Sequence, residues 1–392
     1  MSRYLLKRLL SGIVAFLIFT AIVFFGFNLL LPFDYVTTLS LFLPGNEARE
    51  ALREELGLNL PLWRQYFLWL GHLVQGDFGQ EFSMGGGGRS VTEILKHTLP
   101  PTLLVFATGS GLAFVVGHWL GKVSGWRASR WLSGSLTLGS IAAYTAFPPW
   151  LAFLLTFVLV DWLGVFPFGA TRLRDGLWRD APIDSNTLMI RMTLVVWGVA
   201  AAVWLINWVS RRWRRRNLPS ILSIALFVGG LGLAWWLSEY GPYISDIARV
   251  AVIPFVTFVL LAFGDTLLIM QANMLDTQHE LYIQTARAKG LSEKEVRDRH
   301  AGRNALLPAL SRFVVNMPYL LTAIVIIEHA TEWNGIGNLL FGSIYNQNTY
   351  VYMGVLVIVG LVALVARLAL DVIYAALDPR IRYGGREKGS VQ

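Results

Sequence analysis

Charged side chains are scarce in this sequence, and the largest group of mixed sign lies in one connection. Residues 276–304 hold 11 of them. Two tetrads there have the spacing of a capping box, Thr277-Gln278-His279-Glu280 and Ser292-Glu293-Lys294-Glu295. In each, a hydroxyl is placed to accept from an early backbone N–H, and a Glu three residues on reaches back. They predict a helix over about 278–289, a left-handed residue at Gly290, and a second helix ending near Leu306, with Pro308 opening the next apolar segment. Ala286 and Gly290 are four apart and share a helical face. Their small size lets another protein's backbone come close. An ordinary solvated helical hairpin is the alternative reading of the same residues.

Elsewhere the types needed for catalysis are missing. The chain has no Cys, which excludes disulfides, thiolate nucleophiles and iron–sulfur clusters. His72, His97, His118, His279, His300 and His329 lack metal-ligand spacing; Glu328-His329 sits at an outer helix end, where a metal site is the less favoured reading. No G-x-x-x-x-G-K-[ST] occurs: around Gly121-Lys122, Val116 and Val123 stand where Gly and Ser/Thr are needed. No nucleophile–base pair is suggested. The sequence predicts no catalytic residue, metal or cofactor. Inside the apolar segments, Asp265, Arg367 and Asp371 are ionisable, and the default reading of such residues in a membrane is functional. Asp265 and Asp371 lie toward the cytoplasmic ends of their spans, where snorkelling or pairing is the alternative. Arg249 and Arg312 also fall within spans. Pro148-Pro149, Pro254 and Pro318 interrupt helical hydrogen bonding. With Asn316 and Thr322, Pro254 and Pro318 are the candidates for lining a pathway; helix–helix packing is the competing role.

The elements that position these residues are membrane spans. The 392 residues are 55% hydrophobic and 15% charged, with mean hydropathy +0.52. A soluble domain carries about 25% charged residues. Eight apolar segments are long enough to read as spans: 9–31, 99–120, 131–160, 192–209, 219–238, 247–272, 309–330 and 350–376. The first follows Arg3, Lys7 and Arg8 and is read as a retained anchor. With the N-terminus in the cytoplasm, the inner connections carry 21 Lys and Arg and the outer ones 9. Arg211, Arg212, Arg214, Arg215 and Arg216 weigh most. Trp126, Trp131, Trp208 and Trp213 mark the inner boundary; Trp162, Trp235 and Trp236 mark the outer one. The net charge of +8 therefore reads as an orientation signal, not a nucleic-acid surface. Gly85–Gly88 is a flexible joint in the long outer loop.

The stretch from Tyr282 through Thr285-Ala286-Arg287-Ala288-Lys289-Gly290-Leu291-Ser292, followed by His300-Ala301-Gly302-Arg303-Asn304-Ala305-Leu306-Leu307-Pro308, resembles the EAA loop of permease subunits in binding-protein-dependent ABC importers. It departs from the general pattern at Gln284-Thr285, where Glu-Ala is expected. Its 17-residue gap from Gly290 to Pro308 is long, as in the dipeptide/oligopeptide/nickel branch. Arg53-Glu54-Glu55-Leu56-Gly57 through Tyr66, Gly76-Asp77-Phe78-Gly79, Trp333 through Leu340, and Leu377-Asp378-Pro379-Arg380-Ile381-Arg382-Tyr383 are similar to the B-type permease of that branch.

The resemblance implies an all-α polytopic membrane protein of the type I ABC importer permease fold. It implies about eight transmembrane helices, six family-like plus an inserted pair. The expected organisation is an anchor (1–31), an external cap with short helices (32–98) and first core spans (99–170). The inserted pair (171–240), core spans with the loop 276–308 (241–376) and a cytoplasmic tail (377–392) follow. The subunit would not hydrolyse ATP. It would form half of a path for peptides or similar small solutes, with a second permease subunit in a heterodimer. Two cytoplasmic ATP-binding subunits would bind ATP, one of them taking the Thr285–Ser292 segment into a cleft, and an external substrate-binding protein would deliver the solute. An ion-gradient-driven secondary transporter is the other reading. It calls for inverted repeats and a mid-bilayer acidic relay, and the sequence displays neither.

Overall fold

Apolar blocks with no water to satisfy their backbone fold as helices, and the computed structural model is almost entirely helical. It describes residues 2–30, 46–55, 57–81, 88–127, 130–166, 173–214 and 218–377. Gly85–Gly87, the Arg215–Asn217 end of the basic run, and the tail from Asp378 with its Leu377–Tyr383 motif lie outside these.

Helix α1 is Ser2–Leu30. Two short helices follow, α2 (Asn46–Glu55) and α3 (Leu62–Val74). Gly57 between them has φ +67°, a conformation that glycine takes without strain. Tyr66 of α3 is buried against Phe24 and Trp69, and its hydroxyl lies 3.2 Å from Thr20 Oγ1, tying α3 to α1. A two-strand hairpin, Gln80–Glu81 against Arg89–Ser90, leads into α4 (Val91–Arg127).

The next segment, expected as one span over 131–160, is sharply broken. It divides into α5 (Arg130–Thr145) and α6 (Pro148–Thr156), bent by 109°. Pro148 has no N–H, and the residue before a proline is driven out of the helical region. Phe147 accordingly sits at φ −67°, ψ 120°. A π-helical turn, Phe157–Trp162, ends the segment. After α7 (Asp175–Trp178) come α8 (Ser185–Arg214) and α9 (Ser220–Trp236). Asn207 joins this pair, donating to Ser223 Oγ and accepting from the Leu218 amide. Helix α8 packs on α4, and α9 packs mainly on α8.

Helix α10 (Gly241–Thr277) makes the most extensive contact of the fold, with α4. Gly117, Gly121 and Gly125 recur every four residues along that seam. A Cβ on them would lie 2.7, 2.6 and 2.6 Å from the carbonyl oxygens of Phe263, Leu267 and Gln271. Small residues on one helical stripe let two backbones touch.

Two short helices, α11 (Leu281–Ala288) and α12 (Glu293–Glu295), precede a π-helical turn (Val296–Ala301). Then come α13 (Gly302–Val315), α14 (Met317–Ala330), α15 (Ile336–Tyr345) and α16 (Thr349–Leu377). Pro308 lies inside α13 and does not open a span. The break falls at Asn316, ahead of Pro318, with a bend of 53°. Among the described residues, five helices are long and apolar enough to cross a membrane, and up to seven if each bent pair is one span. The expected eighth, α9, has 17 residues, about 25 Å at 1.5 Å each, which is at the lower limit for a crossing.

Candidate functional site

The charged hairpin 276–308 is braced on the body by its inner side. Ile283, Ala286, Val296, Ala301, Ala305 and Ala309 bury themselves with Trp126 of α4 and Met270 and Met274 of α10. Polar contacts surround that cluster. The Trp126 indole N–H donates to Glu293 Oε2 at 3.3 Å, Arg287 Nε donates to Glu293 Oε1 at 3.1 Å, and the Arg287 guanidinium lies 5.4 Å from the Trp126 ring centre. Gln278 donates to the Gly125 carbonyl. Lys122 Nζ is 3.2 Å from Asp298 Oδ1, and Arg297 grips both oxygens of the same carboxylate at 2.8 and 3.0 Å. Burial pushes the Asp298 carboxyl up; the Arg297 hydrogen bonds and the Lys122 charge outweigh it and hold it below the usual carboxylate range.

The capping expectations divide. The Ser292 hydroxyl accepts from the Glu295 amide at 3.3 Å, and Gly290 has φ +74°. The box at Thr277 does not form. Helix α10 runs on to Thr277, with the Gln278 amide still bonded to Met274 O, and α11 starts from an extended Glu280. The shared small face is also corrected. Ala286 is 5% exposed and packs inward, while Gly290 is open to solvent. A residue count gives the angle between side chains, not which body each meets. The outward side carries Leu281 at 78% exposure, with Tyr282, Thr285, Ala288, Lys289 and Ser292; Arg287 and Leu291 are half-buried.

The second feature is the bent pair α13–α14. Asn316, at the break, donates to Asp265 Oδ2 at 3.0 Å, and Arg312 Nε lies 3.5 Å from that oxygen. Pro318 and Thr322 are exposed, and the Thr322 hydroxyl donates back to the Pro318 carbonyl at 3.1 Å. Pro254 is buried inside α10 and reaches no exposed surface, apart from the other three. Arg367 is exposed on α16, and the Asp371 side chain lies outside those described. Arg312 and Tyr319 were not among the expected pathway residues. Their signal is a run of less apolar side chains at spacings of three and four. Glu328 and His329 point apart. Glu328 is fully buried and accepts from the Gly337 amide, while His329 stacks on Phe341 at 4.3 Å.

A charged hairpin braced on the helical body leads into a bent span with a polar stripe, and sequence similarity assigns this arrangement to the membrane permeases. Residues 115–383 match the family described as binding-protein-dependent transport system inner membrane component, and residues 1–86 match the N-terminal component of such systems. The chain belongs to this family. It is similar to the oligopeptide transport system permease protein AppB of Bacillus subtilis, at 28% identity over 98% of this chain and 100% of AppB. It is similar to a putative peptide permease protein of Brucella suis, at 27% identity over 97% of this chain and 99% of that one. It is also 25% identical to the glutathione transport system permease protein GsiC of Escherichia coli K12, over 98% and 100% of the two chains. It is a multi-pass inner-membrane permease subunit of an ABC importer, a non-catalytic component that works with an ATPase and a substrate-binding protein. The secondary-transporter reading is set aside.

Proposed function

We propose that this subunit forms half of a heterodimeric path for peptides or similar small solutes, with both termini in the cytoplasm. Of two cytoplasmic ATP-binding subunits, one engages Thr285–Ser292 of this chain, and the binding protein delivers solute from outside. One observation carries the coupling assignment: Leu281 is 78% exposed beside Thr285, Ala288 and Lys289, on a hairpin whose opposite side is buried against α4 and α10. An apolar side chain standing out of a charged hairpin suits burial in a partner's cleft. Ala286 acts from within, letting α11 sit close to its own core. Because the hairpin shares that core with α4, α10 and α13, a displacement imposed on it moves those helices together. The bent pair, with Asn316, Pro318 and Thr322, is the proposed wall of the path.

The peptide assignment rests on the relatives. Oligopeptides and glutathione share peptide bonds and free carboxylates. The inserted pair is proposed as a peripheral scaffold, because α8 and α9 are largely exposed and lie outside the α4–α10 seam.

The chain's lack of Cys makes the test direct. In Ala288→Cys, a maleimide labels the purified permease pair. Assembly with the ATP-binding subunits is expected to block that labelling. Equal labelling in the assembled importer overturns the docking assignment.

A further inference from the structure

Arg312 is a permanent cation inside an apolar bent span, and 49% of its side-chain surface is exposed. An intramembrane Arg faces a bundle interior or water, because hydrocarbon is too costly. The rest of the span says which side this is. From Ala309 to His329 the exposed residues are Arg312, Val315, Pro318, Tyr319, Thr322 and His329. Pro318 marks the break; the others, with half-buried Ile326, follow the three-and-four spacing of one helical face. A face meeting lipid is apolar. This one carries a guanidinium, a phenol, a hydroxyl and an imidazole. Tyr144 of α5 extends it, its ring 5.9 Å from that of Tyr319.

Asp265 holds the cation in place. Its Oδ2 faces Arg312 Nε at 3.5 Å and accepts from Asn316 Nδ2 at 3.0 Å. The carboxylate engages the Nε edge of the guanidinium, and half of the side chain stays open on the stripe. A guanidinium offers five donors in a fork that matches a carboxylate. A partly neutralised cation also suits passage, since a site on a pathway must receive its solute and then release it.

We propose that Arg312, oriented by Asp265 and Asn316, binds the carboxylate of the solute in transit. This inference rests on the peptide reading and adds a contact inside the membrane to it.

The test uses the full importer in proteoliposomes, with trialanine as the probe. Arg312→Gln is expected to lower uptake about tenfold, the scale of one lost charge-assisted contact. Binding-protein-stimulated ATP hydrolysis is expected to stay within about twofold of the native value, and Arg312→Lys to recover part of the uptake. A second readout needs no peptide. In Val315→Cys, a negatively charged methanethiosulfonate is expected to react faster than a positively charged one, and Arg312→Gln to reverse that order. Unchanged trialanine uptake by Arg312→Gln overturns the proposal. So does a parallel fall in ATP hydrolysis, which marks a hinge role, or loss of the partner permease on purification, which marks an inter-subunit pair. If the native importer takes up no trialanine, the peptide reading fails. The Val315→Cys rates then decide on their own whether Arg312 presents its charge to anions.

Discussion

Trp126 and Glu293 stand 167 positions apart in the chain, yet the indole N–H of one donates to the carboxylate of the other at 3.3 Å. The same carboxylate holds Arg287, whose guanidinium lies by the Trp126 ring. Helix α4 is therefore fastened to the hairpin, although it is remote from it in sequence, and under the proposed docking the two move together. A contact of this kind lets force pass to α4 directly as well as through α10 and α13, which flank the hairpin in the chain.

Trp126→Phe tests that link while keeping an aromatic ring in the buried cluster. It removes the indole N–H and the second ring, so a cavity term adds to the lost hydrogen bond. The expected stability loss is about 1–3 kcal/mol, read as a drop in melting temperature. The informative measurement is the number of ATP molecules hydrolysed per solute imported. It should rise, because the hairpin moves without carrying α4. An unchanged ratio assigns Trp126 to packing alone.

The α4–α10 seam gives a steric prediction. A Cβ on Gly121 would lie 2.6 Å from Leu267 O and 2.7 Å from Met270 Cβ, whereas Gly134 of α5 has nothing within 4 Å. Gly121→Ala should cost about 1–3 kcal/mol, the usual penalty of overpacking. Gly134→Ala should be neutral or stabilise by up to about 1 kcal/mol, since it removes a helix glycine. Thermal unfolding of both variants in detergent checks the contrast. Similar melting temperatures would mean that the two helices are not in backbone contact.

Asp298 supplies a pH dependence. Its carboxyl is held below its ordinary value in the folded hairpin, so the folded state favours the ionised form. The resulting stabilisation is fully present above the ordinary carboxylate value of about 4 and is lost as pH falls through the depressed folded value. Hydrogen exchange of the 276–308 amides should report loosening in that acid window. Asp298→Asn should be looser at neutral pH and respond less in the same window. An identical acid response in both chains would assign the effect to another group.

Much of this was legible in the sequence because two strong signals carry it. Long uncharged runs have only one way to satisfy their backbone in lipid, so the helices were readable. Ser292 and Gly290 act locally, through a cap and a left-handed backbone, and both stand where the sequence placed them. What failed was non-local. The Thr277 box lost to the continuation of α10, whose packing on α4 outweighs a single capping hydroxyl. From sequence the Pro148-Pro149 pair predicts a kink inside one span, whereas it turns the chain through 109°. Ala286 is inward-facing because Trp126 and Met274 fill the space beside it, and no spacing rule identifies that neighbour. Arg312 stayed inconspicuous because its meaning depends on Asp265 across the bundle.

Orientation is the last prediction. The Lys and Arg excess places the connection between α8 and α9 on the same side as the 276–308 hairpin. Trp213, near the end of α8, is 85% exposed and stands beside Arg212, whose guanidinium lies 5.9 Å from the Trp208 ring centre. With no native Cys to confuse the signal, Trp213→Cys gives a single reporter. A membrane-impermeant maleimide should leave it unlabelled in intact cells and label it once the membrane is opened. Glu50, exposed on α2, supplies the opposite control, so Glu50→Cys should label in intact cells. If Trp213→Cys labels from outside while Glu50→Cys also does, the chain crosses the membrane an odd number of times fewer or more between them than the charge count implies. The hairpin would then need a different register of spans to reach the ATPase.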